Sequence, residues 1–469
     1  MPTAGSPGCP VLTMLPLGRW LLTSKVLALA AARLRIIPVH SFHYRKGLLH
    51  CESVSLDRIA REAGTPVYIY SAGTIVDHYR RLDAALAEID HLICYAVKAN
   101  SNIAILNLLA RENSGFDIVS GGELFRVQKA GGKPESCTFA GVGKSEEEIR
   151  FGLRQEIFSF NVESESELAR IDGIARSMDC RAPIALRVNP DVEAGTHKYI
   201  STGTSENKFG ISHERVMEVY AAAAKMPNIR IRGIQVHIGS QITSAAPFAE
   251  AIVKMSPLVA ELSRKYGIEF FSVGGGIGIV YESSLASGDG KWWKDPEGAA
   301  RESALTIESY ASAVVPHLKK LGLRILFEPG RFMVGNAGVL LTRVSYIKES
   351  AQKTFVIVDA GMNDLIRPAL YEGYHEVVPV SEPNHARTIV ADVVGPVCES
   401  GDFFAQDRAI PEVKEGDLIA LMSAGAYGFS MASNYNSRPL PAEVLVCGDS
   451  ARIIRERQSF DDLVRGEKV

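Results

Sequence analysis

No C-x-x-C pair occurs in the chain, and its seven cysteines, at positions 9, 51, 94, 137, 180, 398 and 447, are odd in number and widely spread. That spacing excludes a disulfide framework and the usual zinc patterns, and it suits a reducing, cytoplasmic setting. No charge of one sign dominates: 51 Lys and Arg stand against 54 Asp and Glu, a formal charge of −3. Neither a nucleic-acid surface nor an acidic tail is therefore indicated. No run reaches the ~20 nearly uncharged residues of a membrane span. The Leu- and Ala-rich stretch from Pro10 to Pro38 is broken by Arg19, Lys25, Arg33 and Arg35. Acidic residues are missing before Glu52. Residues 1–40 thus read as a disordered leader: a transit-like amphipathic segment, a weak signal peptide, or sequence translated from a misplaced start. The G-x-G-x-x-G dinucleotide fingerprint with its later acid and the G-x-x-x-x-G-K-[ST] phosphate loop are also missing.

What is present is a 469-residue chain with 46% hydrophobic residues, enough for two or three globular domains. Short apolar runs that read as buried parallel strands, Val67–Tyr70, His91–Ala96, Phe116–Ile118, Thr138–Ala140, Phe158–Val162, Ile184–Val188, Ile231–His237 and Phe270–Val273, alternate with helical patterns such as Ile103–Arg111 and Glu165–Ser177. Repeated β–α units of this kind predict a (β/α)8 barrel over 71–324, with functional residues at the carboxyl ends of its strands. From Ile325 onward, β-branched runs between Gly, Pro and Asn turns predict an antiparallel β-sandwich or β-barrel domain over 325–469. Residues 41–70 supply strands expected to join it. The Gly-rich segment Tyr281–Arg301, with Trp292 and Trp293, reads as an inserted surface loop.

Lys98 follows the apolar run Cys94–Val97. A lysine at a buried strand end either pairs with a carboxylate or has its pKa depressed for Schiff-base chemistry. Asp117, at the end of the next strand, could bond that lysine or a cofactor; Asp117 and Glu123 could equally be a cap or a structural ion pair. His237 ends a strand and is followed by Gly239 and Ser240, which offer a tight turn with hydroxyl and amide donors. Gly274, Gly275 and Gly276 follow another strand, where backbone amides can converge on a phosphate. Glu328, Pro329, Gly330 and Arg331 follow Ile325–Phe327. They could form a surface ion pair, or place a carboxylate on a ring nitrogen and a guanidinium on a substrate carboxylate. The β-domain adds Arg367, Tyr371, Cys398, Glu399, Asp402 and Tyr427.

Taken in order, Tyr95–Asn100, Val236–Ser240, Gly274–Gly276, Glu328–Arg331 and Cys398–Asp402 resemble the pyridoxal-phosphate decarboxylases that have an alanine-racemase-like barrel (fold type III). Gly195–Gly203, Glu206–Gly210 and Leu365–Tyr371 narrow the resemblance to the branch acting on meso-diaminopimelate to give L-lysine. The resemblance covers about Ser41 to Val446. It implies that Lys98 carries pyridoxal 5'-phosphate as an aldimine, with Asp117 and Glu123 nearby. His237 would stack on the ring, and Glu328 would keep its nitrogen protonated. Ser240, glycines 274–276 and Tyr427 would hold the phosphate, with Pro329 and Gly330 lining the site. Arg331, Arg367, Tyr371, Glu399 and Tyr427 would recognise the far end of the substrate, and Cys398 would return the proton. It also implies a homodimer with shared sites, the cysteine motif coming from the second subunit. Ornithine, lysine and arginine decarboxylases are the alternative enzymes, but their substrates have no second carboxylate to engage two arginines. A racemase would show a tyrosine where Cys398–Glu399 stands. A non-catalytic pyridoxal-phosphate binder would lack the β-domain, Lys98 or Cys398.

Overall fold

Eight runs of three to eight residues lie side by side in parallel: His91–Ala96, Gly115–Ile118, Cys137–Phe139, Ser159–Val162, Ala182–Asn189, Ile229–Val236, Phe270–Ser272 and Arg324–Phe327. They form a closed barrel, because Phe160–Val162 pairs with Ile184–Leu186 and Ile325–Phe327 pairs with His91–Ile93. This computed structural model describes residues 39–192, 208–288, 305–383 and 387–469. Residues 1–38, most of Gly195–Gly210, and Trp292 and Trp293 lie outside the described residues. Arg324–Phe327 is the eighth barrel strand. The barrel therefore runs past the boundary expected at 324, because Glu328 and its turn directly follow a strand of only four residues.

Several helices that cover the barrel start where the chain supplies a hydroxyl or amide cap. Asn102 accepts from the Ala104 amide ahead of Ile103–Arg111. Ser120, Ser145 and Ser164 cap the next three helices, Ser145 with a reciprocal Glu148 box. The period-2 rule sends alternate strand residues into the barrel. At its amino end they are apolar: Cys94, Ala185, Phe270 and Leu326 form a separate buried cluster. A Cβ on Gly233 would strike the Phe270 ring, so glycine is needed there for the large ring to fit. One step further along the strands the inward residues turn polar: Asp117, Ser159, Asn161, Arg187, Gln235, Ser272 and Glu328 are all buried. The apolar layer plugs the barrel floor, and the polar layer supports whatever sits at its mouth.

Val67–Ser71, although apolar like a barrel strand, pairs antiparallel with Gly338–Glu349 and parallel with Ala442–Cys447. The same sheet includes Thr354–Val358, Thr388–Val394, Phe403–Pro411, Leu418–Leu421 and Ser450–Arg455. Most pairings are antiparallel, as the texture predicts, but Thr354–Val358 also lies parallel to Thr388–Val394, so the sheet is mixed. The hairpins Phe42–Arg45, Leu48–Cys51 and Val54–Ser55 lie against this region, with the Leu49 amide donating to the Val380 carbonyl at 2.8 Å. Phe42, Leu49 and Val54 share a core with Val339, Leu341, Met422 and Val446.

Candidate active site

A cavity of about 690 Å³ opens at the carboxyl ends of the barrel strands and is closed on one side by residues of the β-domain. Lys98 reaches it from a 3-10 turn, Val97–Ala99, that directly follows the first strand. Its Nζ donates to Asp117 Oδ2 at 2.5 Å. Burial works to lower the Lys98 ammonium, but the Asp117 carboxylate, with Tyr427 and Glu123 adding, holds it above its ordinary value. Of the two readings the sequence leaves open, a depressed pKa and pairing with a carboxylate, the free side chain follows the second. Asp117 stands on the adjacent strand, as expected, so the free side chain is an ammonium. Glu123 lies outside the cavity lining. It accepts from the Val119 amide at 2.7 Å, and burial raises its carboxyl to about 7. It ties Val119 to the first turn of the helix beginning at Gly121, whose cap is Ser120.

Glu328 is 5% exposed. Oε1 accepts from Ser272 at 2.7 Å, and Oε2 accepts from Gln235 Nε2 at 3.0 Å. Burial, with the Asp117 charge adding, pushes its carboxyl up to about 7. His237 accepts at Nδ1 from the Gly275 amide at 3.2 Å. Burial first, then Arg187 and Lys98, hold it well below its ordinary value, so it is neutral with its proton on Nε2. Gly274 and Gly276 have φ of +72° and +107°, and a Cβ on them would run into the Val236 and Gly239 carbonyls. Gly275 passes as closely over the Glu328 carbonyl. The glycine run is therefore demanded by packing between strands as well as suited to an anion. Gly274 and Pro329 stand behind the lining, whereas Gly275, Gly276 and Gly330 form part of it.

The far wall carries the arginines. Arg331 donates from Nη1 to Tyr281 Oη at 2.6 Å and from Nη2 to Ser240 Oγ at 3.0 Å. Its guanidinium lies 4.9 Å from the Tyr427 ring. Arg367, on the short helix Arg367–Tyr371, lies 4.7 Å from the Tyr281 ring, and Tyr371 joins the same wall. Burial works to raise the Tyr281 phenol, but Arg331 and Arg367 bring it below its ordinary value. Tyr281 is the first residue of the segment expected to be a surface loop, yet it is buried. That expectation fails at this residue because the two guanidiniums pack on its ring.

Cys398 and Glu399 are not brought to this cavity. Both are exposed, in the loop between Thr388–Val394 and Phe403–Pro411. Buried Asp402 braces that loop by accepting from the Val397 and Met362 amides at 2.6 Å each. Glu399 accepts from the Tyr435 hydroxyl. Sequence reading missed Tyr281, Arg187, Gln235, Ser272 and His375. Gln235 was within reach, since it lies two residues before His237 and so faces the same way. His375 carried no local signal.

The residues fit pyridoxal phosphate. The lysine has a carboxylate partner whose Oδ1 has no hydrogen-bond partner among the described residues. A buried carboxylate, Glu328, follows the eighth strand beside the first, a neutral imidazole, His237, follows the sixth, and a side-chain-free glycine turn adjoins Ser240 and Arg331. Among the described residues, no group of His, Cys, Asp and Glu could hold a metal, and no helix is long and apolar enough to cross a membrane.

Comparison with known proteins agrees with this geometry. Residues 72–335 match the pyridoxal-dependent decarboxylase, pyridoxal binding domain, family. A diaminopimelate decarboxylase of Vibrio cholerae is 45% identical over 431 residues, 91% of this chain and 99% of that protein. One of Pseudomonas aeruginosa is 47% identical over 432 residues, 92% and 99% of the two chains. The crystal structure of the Helicobacter pylori diaminopimelate decarboxylase complexed with L-lysine superposes with a TM-score of 0.80 at 41% identity, covering 87% of this chain and 98% of that one. A lysine/ornithine decarboxylase of Vibrio vulnificus, at 21% identity and a TM-score of 0.70 over 84% of this chain and 96% of its own, shares the fold alone. With its closed barrel, its mostly antiparallel sheet and these relatives, the chain belongs to the diaminopimelate decarboxylases, a family of pyridoxal-dependent enzymes.

Proposed function

We propose that the cavity removes one carboxylate of meso-2,6-diaminopimelate as carbon dioxide and releases L-lysine. The observation that carries this reading is the pairing of Lys98–Asp117 at one side of the cavity with two buried arginines, Arg331 and Arg367, at the other. A substrate with a carboxylate at each end needs both sides. A diamine precursor such as ornithine offers nothing to the second arginine.

When bound, pyridoxal phosphate supplies an aldehyde that condenses with amines and a ring that accepts the electron pair left behind by carbon dioxide. Lys98 is the amine that would hold it, and its ammonium must first give up a proton, for which Asp117 at 2.5 Å is the nearest acceptor. Glu328, fixed by Ser272 and Gln235, would hold a proton at the ring nitrogen. Neutral His237 would lie flat against the ring without competing for charge. Ser240, Gly275, Gly276 and Tyr427 would face the phosphate, while Arg331, Arg367 and Tyr371 would orient the substrate's distal end.

The proton that replaces carbon dioxide needs a donor, and in this reading it is the partner subunit's Cys398, with the partner's Glu399 beside the substrate amine. The exposure of this loop, and the fact that Cys398 and Glu399 do not line their own chain's cavity, support a homodimer with two shared sites. The unpaired described cysteines support a cytoplasmic location. Carbon dioxide release from the purified protein with added cofactor tests the substrate. Release from meso-diaminopimelate and not from ornithine, lysine or arginine is expected. Release from a diamine precursor would leave the fold intact and overturn the substrate.

A further inference from the structure

Arg367 is 7% exposed and cannot choose its own direction, because its long side chain must be folded back into the cavity wall. Three contacts set that direction. Tyr281 lies under the guanidinium at 4.7 Å. The backbone turns back at Gly373, whose amide donates to the Arg367 carbonyl at 3.2 Å; a Cβ there would sit 3.4 Å from Nη2. The third contact is polar and specific: Arg367 Nη1 stands 2.7 Å from Nε2 of His375, a residue with 0% exposure. The other ring nitrogen, Nδ1, stands 2.8 Å from the carbonyl of Met422, directly after the strand Leu418–Leu421.

A guanidinium has only donors, and a carbonyl is only an acceptor. One tautomer alone satisfies both contacts: neutral, protonated at Nδ1, with the lone pair of Nε2 turned to Arg367. The groups around the ring favour that form. Arg331 and Arg408 are further positive charges, the Arg408 guanidinium donates to the His375 carbonyl at 2.8 Å, and the Tyr281 ring meets the imidazole edge-on at 5.5 Å. Burial first, and then Arg367, keep the imidazole well below its ordinary value.

We infer that His375 is a positioning residue for substrate selection: its Nε2 lone pair holds Arg367 in the posture that receives the distal carboxylate, while its Nδ1–H anchors the ring to the Met422 carbonyl. This rests on the reading of Arg367 as a substrate-binding group. Arg367, buried near Arg331 and against the Tyr281 ring, has no carboxylate partner among the described residues to orient it. The histidine supplies an acceptor without supplying a charge, so the guanidinium's full charge stays available to the substrate.

The two ring nitrogens can be separated by substitution. His375→Gln places an oxygen near the Nε2 position and loses the Nδ1 donor; His375→Asn keeps a donor for Met422 and loses the acceptor for Arg367. L-lysine keeps the distal carboxylate and cadaverine has none, so the two ligands separate carboxylate recognition from binding in general. With holoenzyme of equal cofactor content, His375→Asn is expected to raise the KM for meso-diaminopimelate and the inhibition constant of L-lysine roughly tenfold, the loss expected for a hydrogen bond to a charged group. Its kcat should stay within about twofold and cadaverine binding should be unchanged. His375→Gln should stay near wild type on every measure. Equal impairment of both variants, or wild-type lysine binding in His375→Asn, would overturn the inference. If His375→Asn does not fold, His375→Gln decides alone: a wild-type KM supports the role of the acceptor, and a raised one refutes it. Arg367→Gln measured alongside separates the two levels. If it leaves KM and lysine inhibition untouched, the reading of Arg367 itself falls. If it impairs both while His375→Asn does not, only the role of His375 falls.

Discussion

Glu328 is a carboxyl group whose surroundings oppose its charge until a cation is brought to it, and replacement by glutamine should expose this as a pH-dependent change in stability. In the folded, cofactor-free protein burial holds its pKa at about 7, against an ordinary value near 4.5. Between those values the folded state keeps a proton that the unfolded chain has released. The associated stability is complete below about pH 4.5, declines as pH rises, and is lost above about 7. A carboxyl held at about 7 rather than 4.5 is worth ~3 kcal/mol across that pH range. Glu328→Gln mimics the protonated form: Ser272 can still donate to its oxygen, and Gln235, whose Oε1 has no partner among the described residues, can turn to accept from its amide. Unfolding entropy of roughly 2.1 cal/mol/K per residue gives ~1 kcal/mol/K for a chain of this length, so 3 kcal/mol is roughly 3 °C. Thermal melts of cofactor-free protein should therefore show wild type and variant together near pH 4.5–5 and the variant melting roughly 3 °C higher at pH 8. A melting difference that does not change between pH 5 and 8 would refute the argument that burial keeps this carboxyl protonated. In the holoenzyme the same substitution removes the partner of a buried cation, and a loss of ~3 kcal/mol, roughly a hundredfold in turnover, is expected.

Lys98→Ala should abolish both turnover and the cofactor's absorbance at the edge of the visible range; an unchanged spectrum would assign the cofactor amine elsewhere. Cys398→Ala should bind cofactor normally and lose roughly 10²–10⁴-fold in turnover. Mixing it with Lys98→Ala should restore about a quarter of wild-type activity if subunits exchange and each site draws on both chains of a twofold dimer. No recovery after verified exchange would contradict the shared site.

Much of this arrangement is legible in the chain because barrel strands advertise themselves as short apolar runs. Ile103–Arg111, Glu165–Ser177 and His91–Ala96 coincide with their elements, and the limits of the other expected barrel strands differ by at most two residues. Lys98, Asp117, His237 and Glu328 stand at strand ends, where the barrel concentrates chemistry. Long-range partners are harder to read. The Lys98–Asp117 pair spans neighbouring strands, and its geometry decides between the two readings of the lysine that the sequence leaves open. Tyr281 resembles the first residue of a polar loop until two arginines from elsewhere in the chain pack on it. His375 is meaningful only beside Arg367 and Met422. The barrel boundary near 324 is blurred because the last strand is short and the β-domain follows within a dozen residues.

Whether Arg367 reads the second carboxylate is the central question, and kinetics on one variant addresses it. The ratio kcat/KM for meso-diaminopimelate should fall roughly a hundredfold from the wild type to Arg367→Gln, almost wholly through KM. An unchanged ratio, or a loss confined to kcat, would contradict the account.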